Sequence, residues 1–196
     1  MEYMGGKEFW HQRFAARSDA PMQPEAILVE DMKKMQTGPR LLDLACGDGR
    51  NALYLAQLGM QVEAVDFCPT ALQRLNRFAS RQNLCLHTKQ MDLSDPNAVE
   101  QLGSYDLILC NHYRLSAAAA DRLREHLLPG GKLWLNGFVR CPQDNPAIRP
   151  EDLLCVQDYE QAGYAVEDAL EDALEHTDAR EHRYLRLILT PIQSKK

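Results

Sequence analysis

The segment LLDLACGDGRNALYLA, residues 41–56, constrains the fold more than any other part of this chain. An apolar run leads into Gly47-x-Gly49, and a helical pattern of apolar residues starts at once. With Ala52 the segment satisfies the G-x-G-x-x-G/A pattern of nucleotide-binding folds, in which a strand, a tight turn and a helix follow one another. Because any tight strand-to-helix turn also favours glycine, the pattern alone leaves a purely structural role open.

Strands and helices continue to alternate through the middle of the chain. Apolar runs predict strands over residues 38–46, 60–67, 84–93, 105–111 and 132–139. Helical patterns predict helices over residues 50–59, 69–83, 96–103 and 116–128. Such alternation is typical of βαβ units, so we expect a parallel sheet with right-handed crossovers.

The two ends of the chain depart from this alternation. The first forty residues are predicted to form helical caps, and residues 150–163 a further helix. Residues 164–174 and 182–191 are predicted to pair as antiparallel strands, although residues 166–176 also fit a helix. We therefore expect one domain over 1–196, with an N-terminal helical cap over 1–37, a ligand-binding core over 38–140, and a C-terminal helix and strand pair over 141–196.

Carboxylates stand at the ends of two strands that follow the glycine turn. Asp66 ends the second predicted strand, where an acid can accept hydrogen bonds from both hydroxyls of a ribose. Asp92 ends the third, where it can accept an adenine amino group while the Leu93 backbone reads the ring. The simpler alternatives are a solvated strand-end acid for Asp66 and a cap of the helix near Pro96 for Asp92. Both groups meet at the carboxyl edge of the sheet, where open α/β sheets bind ligands.

Asp43 distinguishes between two possible ligands. It lies four residues before Gly47, inside the first strand. A carboxylate beside the turn repels the pyrophosphate of a nicotinamide dinucleotide and attracts an ammonium or a sulfonium group. The expected ligand is therefore cationic near the turn and adenosine-like beyond it, and S-adenosylmethionine meets both conditions.

Composition excludes several other classes of function. A net charge of -6 argues against a nucleic-acid partner. The six cysteines form no C-x-x-C pair and are interpreted as free thiols in a reducing compartment. The N-terminus lacks the apolar core of a signal peptide, and no run approaches a membrane span of about 20 residues. We therefore expect a cytoplasmic protein without membrane contact, and no metal, since the histidines show no ligand spacing.

The segments LLDLACGDGRNALYLAQLG, VEAVDFCPTAL, MDL and YDLILCN resemble, in order and spacing, the motifs of class I S-adenosylmethionine-dependent methyltransferases. The N-terminal segment EFWHQRFA and the segment GRNALYLA are similar to the small tellurite-resistance (TehB-like) branch of that family. The resemblance implies an α/β, Rossmann-like fold: a seven-stranded, mostly parallel sheet with helices on both faces and an antiparallel C-terminal strand.

The resemblance also implies a set of cofactor-binding positions. Gly47 and Gly49 pass close to the methionine part, Asp43 orients its ammonium group, and Asn111 lies under the sulfonium. Trp10 and Arg13 match an aromatic and an arginine that close over the cofactor, although they also fit a packed lid helix with a surface arginine. The full implied set is Trp10, Arg13, Asp43, Ala45, Gly47, Gly49, Asn51, Asp66, Phe67, Asp92, Leu93 and Asn111.

The acceptor side carries a weaker signal. After the fourth strand this chain has NHYRLS in place of the Asn-Pro-Pro-Tyr type segment of many N-methyltransferases, which argues against that class. His112, Tyr113 and Arg114 are the candidate catalytic residues, with His112 a possible base near neutral pH. The alternative is that these three residues only shape the loop and cap the next helix.

The sequence therefore predicts a methyltransferase for a small-molecule acceptor, acting as a monomer or homodimer. A soft sulfur, selenium or tellurium nucleophile is implied by the resemblance alone. Three alternatives stay open: a methyltransferase for RNA or protein, a non-catalytic cofactor-binding module, and a nicotinamide oxidoreductase.

Overall fold

A computed structural model describes residues 6–95, 97–141, 148–176 and 180–192, with no side-chain description over 172–182. The strands are β1 (Arg40–Leu44), β2 (Gln61–Asp66), β3 (His87–Gln90), β4 (Tyr105–Asn111), β5 (Leu127–Phe138), β6 (Tyr164–His176) and β7 (Arg180–Pro191). The α-helices are α1 (Lys7–Ala15), α2 (Ala26–Lys34), α3 (Arg50–Gln57), α4 (Pro69–Arg81), α5 (Ala117–Leu123) and α6 (Val156–Gln161). Short 3-10 turns cover Ala98–Gln101, Arg124–His126 and Pro150–Asp152.

All seven strands form one sheet in the order β3-β2-β1-β4-β5-β7-β6. Strands β1 to β5 pair in parallel, whereas β7 runs antiparallel to both β5 and β6. The predicted fold class, with its antiparallel C-terminal strand pair, is confirmed. The chain order reverses at β1, so the loops after β1 and β4 diverge and leave a crevice at the carboxyl edge.

Alternate residues of the central strands enter two separate cores, one on each face of the sheet. In β1, Leu42 and Leu44 pack with α5 and α6 residues on one face. Leu41 packs on the other face, among residues of α2, α3 and α4. This period-2 alternation within a fully buried strand places Asp43 on the second face, beside helix α3.

Several predicted boundaries were wrong. The helix predicted to residue 128 ends at Leu123 and the next strand starts at Leu127, because residues 128–131 bulge out between the pairs Tyr105–Leu127 and Leu107–Lys132. The helix predicted over 150–163 breaks before Val156, because the Leu154 backbone N–H donates to the Phe138 carbonyl at 2.8 Å.

The third strand and the following helix are also shorter than predicted. The strand covers only His87–Gln90, and residues 91–93 continue as loop along the crevice. The predicted helix over 96–103 is a single 3-10 turn, and its first residue, Pro96, lies outside the described residues.

Candidate functional site

A cavity of about 620 Å³ opens at the carboxyl edge of β1, β2, β3 and β4 and is covered on one side by α1. Its volume lies within the range of about 300–1,000 Å³ that small-molecule and cofactor sites occupy. The loops after four parallel strands thus supply its walls, as the convergence of polar residues at this edge predicts.

The turn after β1 forms the floor of this cavity and has an unusual backbone. Ala45, Gly47 and Gly49 all have positive φ, at 53°, 57° and 85°. The Gly47 N–H donates to Asp66 Oδ2 at 2.8 Å, so the carboxylate at the end of β2 fixes the turn. At Gly49 a Cβ atom would collide with the Leu75 side chain of α4, which explains the second glycine by packing.

Asp43 is the most unusual ionisable group of the cavity. It is 2% exposed, and its Oδ2 has no hydrogen-bond partner among the described residues. Burial, together with the nearby charge of Asp66, raises the pKa of Asp43 to about 8. A buried carboxylate with an unused oxygen at a cavity wall favours a ligand that brings a positive charge or donors.

Asp66 stands beside it and is already engaged by the backbone. Its Oδ1 accepts a hydrogen bond from the Cys68 N–H at 2.8 Å, and its Oδ2 accepts the Gly47 bond. Burial raises the pKa of Asp66, while these N–H donors oppose the rise. Because each carboxylate oxygen can accept more than one hydrogen bond, both oxygens retain capacity for ribose hydroxyls.

Helix α1 closes the cavity with aromatic side chains. Trp10 and Phe14 lie in the lining and stack with ring centroids 5.7 Å apart. Arg17 packs over the Phe14 ring at 4.6 Å and forms an ion pair with buried Asp48 at 2.7 Å. Since Asp48 belongs to the glycine turn, the segment after α1 is tied directly to the floor of the cavity.

The loop after β3 lines the opposite side with Asp92 and Leu93. Asp92 Oδ1 accepts from the Ser94 N–H at 3.1 Å and from its hydroxyl at 2.6 Å, and its Oδ2 pairs with Lys7 at 3.1 Å. The Ser94 contacts, followed by Lys7, lower the pKa of Asp92. Asp92 therefore shapes its own loop and links it to α1, in addition to facing the cavity.

The end of β4 places Asn111, His112 and Tyr113 along the remaining wall. Asn111 Nδ2 donates to Glu25 Oε2 at 3.1 Å, and His112 Nε2 lies 2.9 Å from the same oxygen. Glu25, which sequence reasoning missed, thus connects the start of α2 to the end of the cavity that Asn111 and His112 line. It belongs to no motif, because it reaches the site only through the packing of the N-terminal segment.

A second cavity of about 190 Å³ lies behind this wall. Its lining combines Glu25 and Ile27 of the α2 segment with Asn136, Leu170 and Tyr184 of the sheet. Asn136 also donates to Asn111 Oδ1 at 2.9 Å, so the asparagine pair separates the two cavities. Glu25 borders this smaller space and reaches the larger one through His112.

Most residues predicted for the site meet at the larger cavity. Those in its lining are Trp10, Asp43, Ala45, Gly47, Asn51, Asp66, Phe67, Asp92, Leu93, Asn111, His112 and Tyr113. Three predicted residues lie outside the lining. Arg13 stacks over the Trp10 ring at 5.5 Å, Gly49 packs against α4, and Arg114 forms an ion pair with Asp158 of α6.

Phe14, Arg17, Asp48 and Arg50 line the cavity and were not predicted. Two of them carry a readable signal: Asp48 lies inside the GDGR motif, and Phe14 follows Trp10 by four residues on one helix face. Within the described ranges, no group of three or more His, Cys, Asp or Glu side chains is placed to hold a metal ion. None of the described helices is long and apolar enough to cross a membrane.

The acceptor groups and the apolar surface of the cavity fit S-adenosylmethionine. Asp43 offers an unused carboxylate oxygen to a cationic end, and Asp66 offers acceptors to a ribose. Phe67, Met91 and Leu93 line the part of the cavity that lies beyond them with apolar surface. The arrangement does not fit a pyrophosphate, which brings neither a positive charge nor donors to Asp43 and carries negative charge beside Asp66.

Comparison with known proteins agrees with this geometry. Residues 41–131 match the family model described as a methyltransferase domain. The ubiquinone biosynthesis O-methyltransferase of Xanthomonas axonopodis pv. citri is 33% identical over 109 residues, which cover 54% of this chain and 45% of that protein. The probable S-adenosyl-L-methionine-dependent methyltransferase TehB of Haemophilus influenzae is 36% identical over 110 residues, covering 53% of this chain and 37% of TehB.

A solved structure concerned with the conversion of a disulfide bond into a thioacetal group during echinomycin biosynthesis shares the fold. Its TM-score is 0.72 at 19% identity, and the match covers 96% of this chain and 94% of that one. The segments matched in the two curated relatives are less than half of those proteins' length.

Fold, site and family model together define a class I S-adenosylmethionine-dependent methyltransferase domain. Over little more than half of its length, the chain is distantly homologous to TehB and to the ubiquinone biosynthesis O-methyltransferases. The resemblance seen in the sequence is therefore confirmed, and the cofactor of the family is S-adenosyl-L-methionine.

Proposed function

We propose that this protein transfers the methyl group of S-adenosylmethionine to a small-molecule acceptor. The observation that carries the proposal is the buried Asp43 carboxylate, whose Oδ2 has no hydrogen-bond partner among the described residues, beside Asp66 at the wall of the larger cavity. A cationic ligand with an adenosine group satisfies both carboxylates, and few other metabolites combine these two features.

In this function the residues bind, orient and exclude water. Asp43 holds the cationic end of the cofactor, Asp66 its ribose, and Asp92 with Leu93 its base. The bound cofactor supplies a methyl group that is already activated for displacement. The protein therefore contributes mainly alignment and a dry site, which Trp10 and Phe14 of α1 cover.

One observation supports a small acceptor over a nucleic acid. The net charge of -6 disfavours a polyanionic partner such as RNA. The resemblance to the tellurite-resistance branch suggests a soft sulfur, selenium or tellurium nucleophile, and distant homology to the ubiquinone biosynthesis O-methyltransferases suggests a hydroxyl acceptor.

We also propose a cytoplasmic location. All six cysteines are free thiols, and Cys46, Cys68 and Cys110 are buried. Free thiols of this kind are typical of a reducing compartment.

Calorimetry with S-adenosylmethionine and S-adenosylhomocysteine tests binding, and we expect dissociation constants of tens of micromolar or lower. Transfer of labelled methyl from the cofactor to a metabolite extract then tests activity. Absence of binding contradicts the proposal outright. Binding without transfer to any pool supports a non-catalytic module, and label in RNA or protein supports a macromolecular acceptor. A titration with NADH, followed by its fluorescence, tests the nicotinamide alternative.

A further inference from the structure

Glu25 is a buried carboxylate that cofactor binding alone does not require. It is 7% exposed and directly precedes α2. Its Oε2 lies 2.9 Å from His112 Nε2, 3.1 Å from Asn111 Nδ2 and 3.2 Å from a guanidinium nitrogen of Arg50. Burial acts to raise its pKa, but His112, Arg50 and Asn111 outweigh burial and lower the pKa of Glu25 to about 2. Glu25 is therefore an anion at neutral pH.

The His112 ring is held from several sides. The backbone of His112 has a positive φ of 56°, and the backbone N–H of His112 donates to the Asn136 carbonyl at 2.7 Å. Tyr184 packs edge-on against the ring at 5.0 Å, and the Phe138 ring lies 6.0 Å away. Nε2 is engaged by Glu25, while Nδ1 has no hydrogen-bond partner in the part of the chain that the structure describes. His112 lines the larger cavity, at the end occupied by Asn111.

We infer that Glu25 is a positioning residue that holds His112 as its Nε2–H tautomer, so that Nδ1 removes a proton from the methyl acceptor. The acceptor is then a hydroxyl, thiol or selenol compound rather than an oxyanion or a thioether that attacks through a free lone pair. This inference rests on the proposed function and specifies its acceptor.

The chemical step balances without a further reactant. The acceptor X–H gives its proton to Nδ1 of His112, and its freed electron pair forms the X–CH₃ bond. The pair of the broken S–CH₃ bond stays on sulfur, which leaves S-adenosylhomocysteine. The imidazolium that results faces the Glu25 carboxylate, which stabilises its charge and later allows the proton to leave to solvent.

A merely structural Glu25 makes a different prediction. Fixing the wall of the cavity requires only an acceptor oxygen, which the amide of glutamine also supplies. Stabilising the imidazolium also requires the negative charge, which glutamine lacks. Glu25→Gln therefore separates the two roles in the transfer rate at almost constant size. Its amide oxygen still accepts from Arg50, Asn111 and Nε2–H, so the tautomer is tested with Glu25→Leu, which removes the acceptor.

The first test needs no acceptor. Nitrogen-15 NMR of the histidines, at a pH where the rings are neutral, reports their tautomers in the free protein and with S-adenosylhomocysteine. We expect His112 to be the Nε2–H tautomer in the parent protein and in Glu25→Gln, and a mixture of tautomers in Glu25→Leu. The His112→Asn variant assigns the signal, because asparagine tolerates the positive φ. Glu30 is an exposed carboxylate of α2 that pairs with Lys33, and Glu30→Gln is the matched control.

An Nδ1–H tautomer in the parent, or no change in Glu25→Leu, overturns the inference. Failure of the proposed function is distinct, because it shows as absence of S-adenosylhomocysteine binding in calorimetry whatever the tautomer.

The second test compares acceptors with and without a removable proton, using catechol and 2-mercaptoethanol against dimethyl sulfide and dimethyl selenide. We expect Glu25→Gln and His112→Asn to slow transfer to the first pair by about 10²-fold or more, the usual contribution of a general base. The double variant should lose no more than His112→Asn alone, since the two residues act as one unit. Equal losses with both pairs of acceptors, or losses that multiply, contradict the inference.

Discussion

Asp43 connects the ionisation of a single residue to ligand binding. Its pKa is raised from 3.8 to about 8 by burial and the charge of Asp66, so in the free protein at pH 7 it holds a proton. A cationic ligand beside it favours the anion, and we expect binding at pH 7 to release about one proton. Calorimetry in buffers of different ionisation enthalpy measures this release. Asp43→Asn should abolish it, and an unchanged release in that variant would show that another group supplies the proton.

The same residue gives the free protein a pH-dependent stability with a defined sign. Because its folded pKa of about 8 exceeds the ordinary 3.8, the folded state binds the extra proton, and the contribution of Asp43 to stability falls as pH rises between these values. Urea unfolding across this window should show a smaller decline in Asp43→Asn than in the parent protein. A parallel decline in both proteins would mean that Asp43 is ionised in the free state.

Asp43→Asn also tests cofactor binding more cleanly than a substitution at Asp66. We expect it to weaken binding by about 1–3 kcal/mol, the scale of a charge-assisted hydrogen bond, without loss of folding stability at pH 7. Asp66 fixes Gly47 and Cys68 through their N–H groups, so its removal disturbs the glycine turn as well as the ribose site.

At the scale of elements, Gly49 couples the glycine turn to the packing of α3 on α4. Both Gly49 and Gly59 have positive φ, at 85° and 82°. A Cβ at Gly49 would overlap Leu75, whereas at Gly59 it meets no described atom within 4 Å. We expect Gly59→Ala to cost about 1–2 kcal/mol from backbone strain, and Gly49→Ala to cost about 1–3 kcal/mol more from overpacking. Chemical denaturation of the two variants measures the difference, and equal losses would remove the packing role.

Helix α1 provides a direct optical readout of the covered cavity. The chain has two tryptophans: Trp134 is fully buried and Trp10 lines the cavity. In Trp134→Phe, the emission comes from Trp10 alone, and we expect S-adenosylhomocysteine to change it in a saturable way. Trp10→Phe is the control and should show no such change. A Trp10 emission that is insensitive to ligand would place α1 away from the bound cofactor.

The accuracy of the sequence predictions follows from how local each signal is. The segments 50–57 and 105–111 carry their own helix and strand patterns, and both formed as expected. The break before Val156 depends on one long-range backbone bond to Phe138, which no local pattern reveals. Glu25 escaped prediction for the same reason, since it reaches His112 across 87 residues of sequence.

At the scale of the whole molecule, the sheet and α2 are joined by buried polar contacts. Asp31 of α2 accepts from Trp134 Nε1 of β5 at 2.7 Å and pairs with Arg186 of β7 at 3.0 Å. These contacts fix the orientation of the helix that Glu25 precedes. The position of Glu25 beside Asn111 and His112 therefore depends on β5 of the parallel part of the sheet and on the antiparallel strand β7.

Ligand binding should stabilise the whole domain in proportion to its affinity. At a concentration 100 times the dissociation constant, linkage gives about 2.7 kcal/mol, which for a domain of this length corresponds to a rise in melting temperature of about 5–10 °C. We expect this rise with S-adenosylhomocysteine in a thermal shift experiment. NADH at equal concentration should give none, because its pyrophosphate brings Asp43 no positive charge and lies beside the Asp66 carboxylate. At a fixed ligand concentration the rise in melting temperature should be smaller in Asp43→Asn, because the stabilisation depends on the ratio of ligand concentration to dissociation constant. A rise with NADH and none with S-adenosylhomocysteine would show that the buried carboxylates do not select a cation.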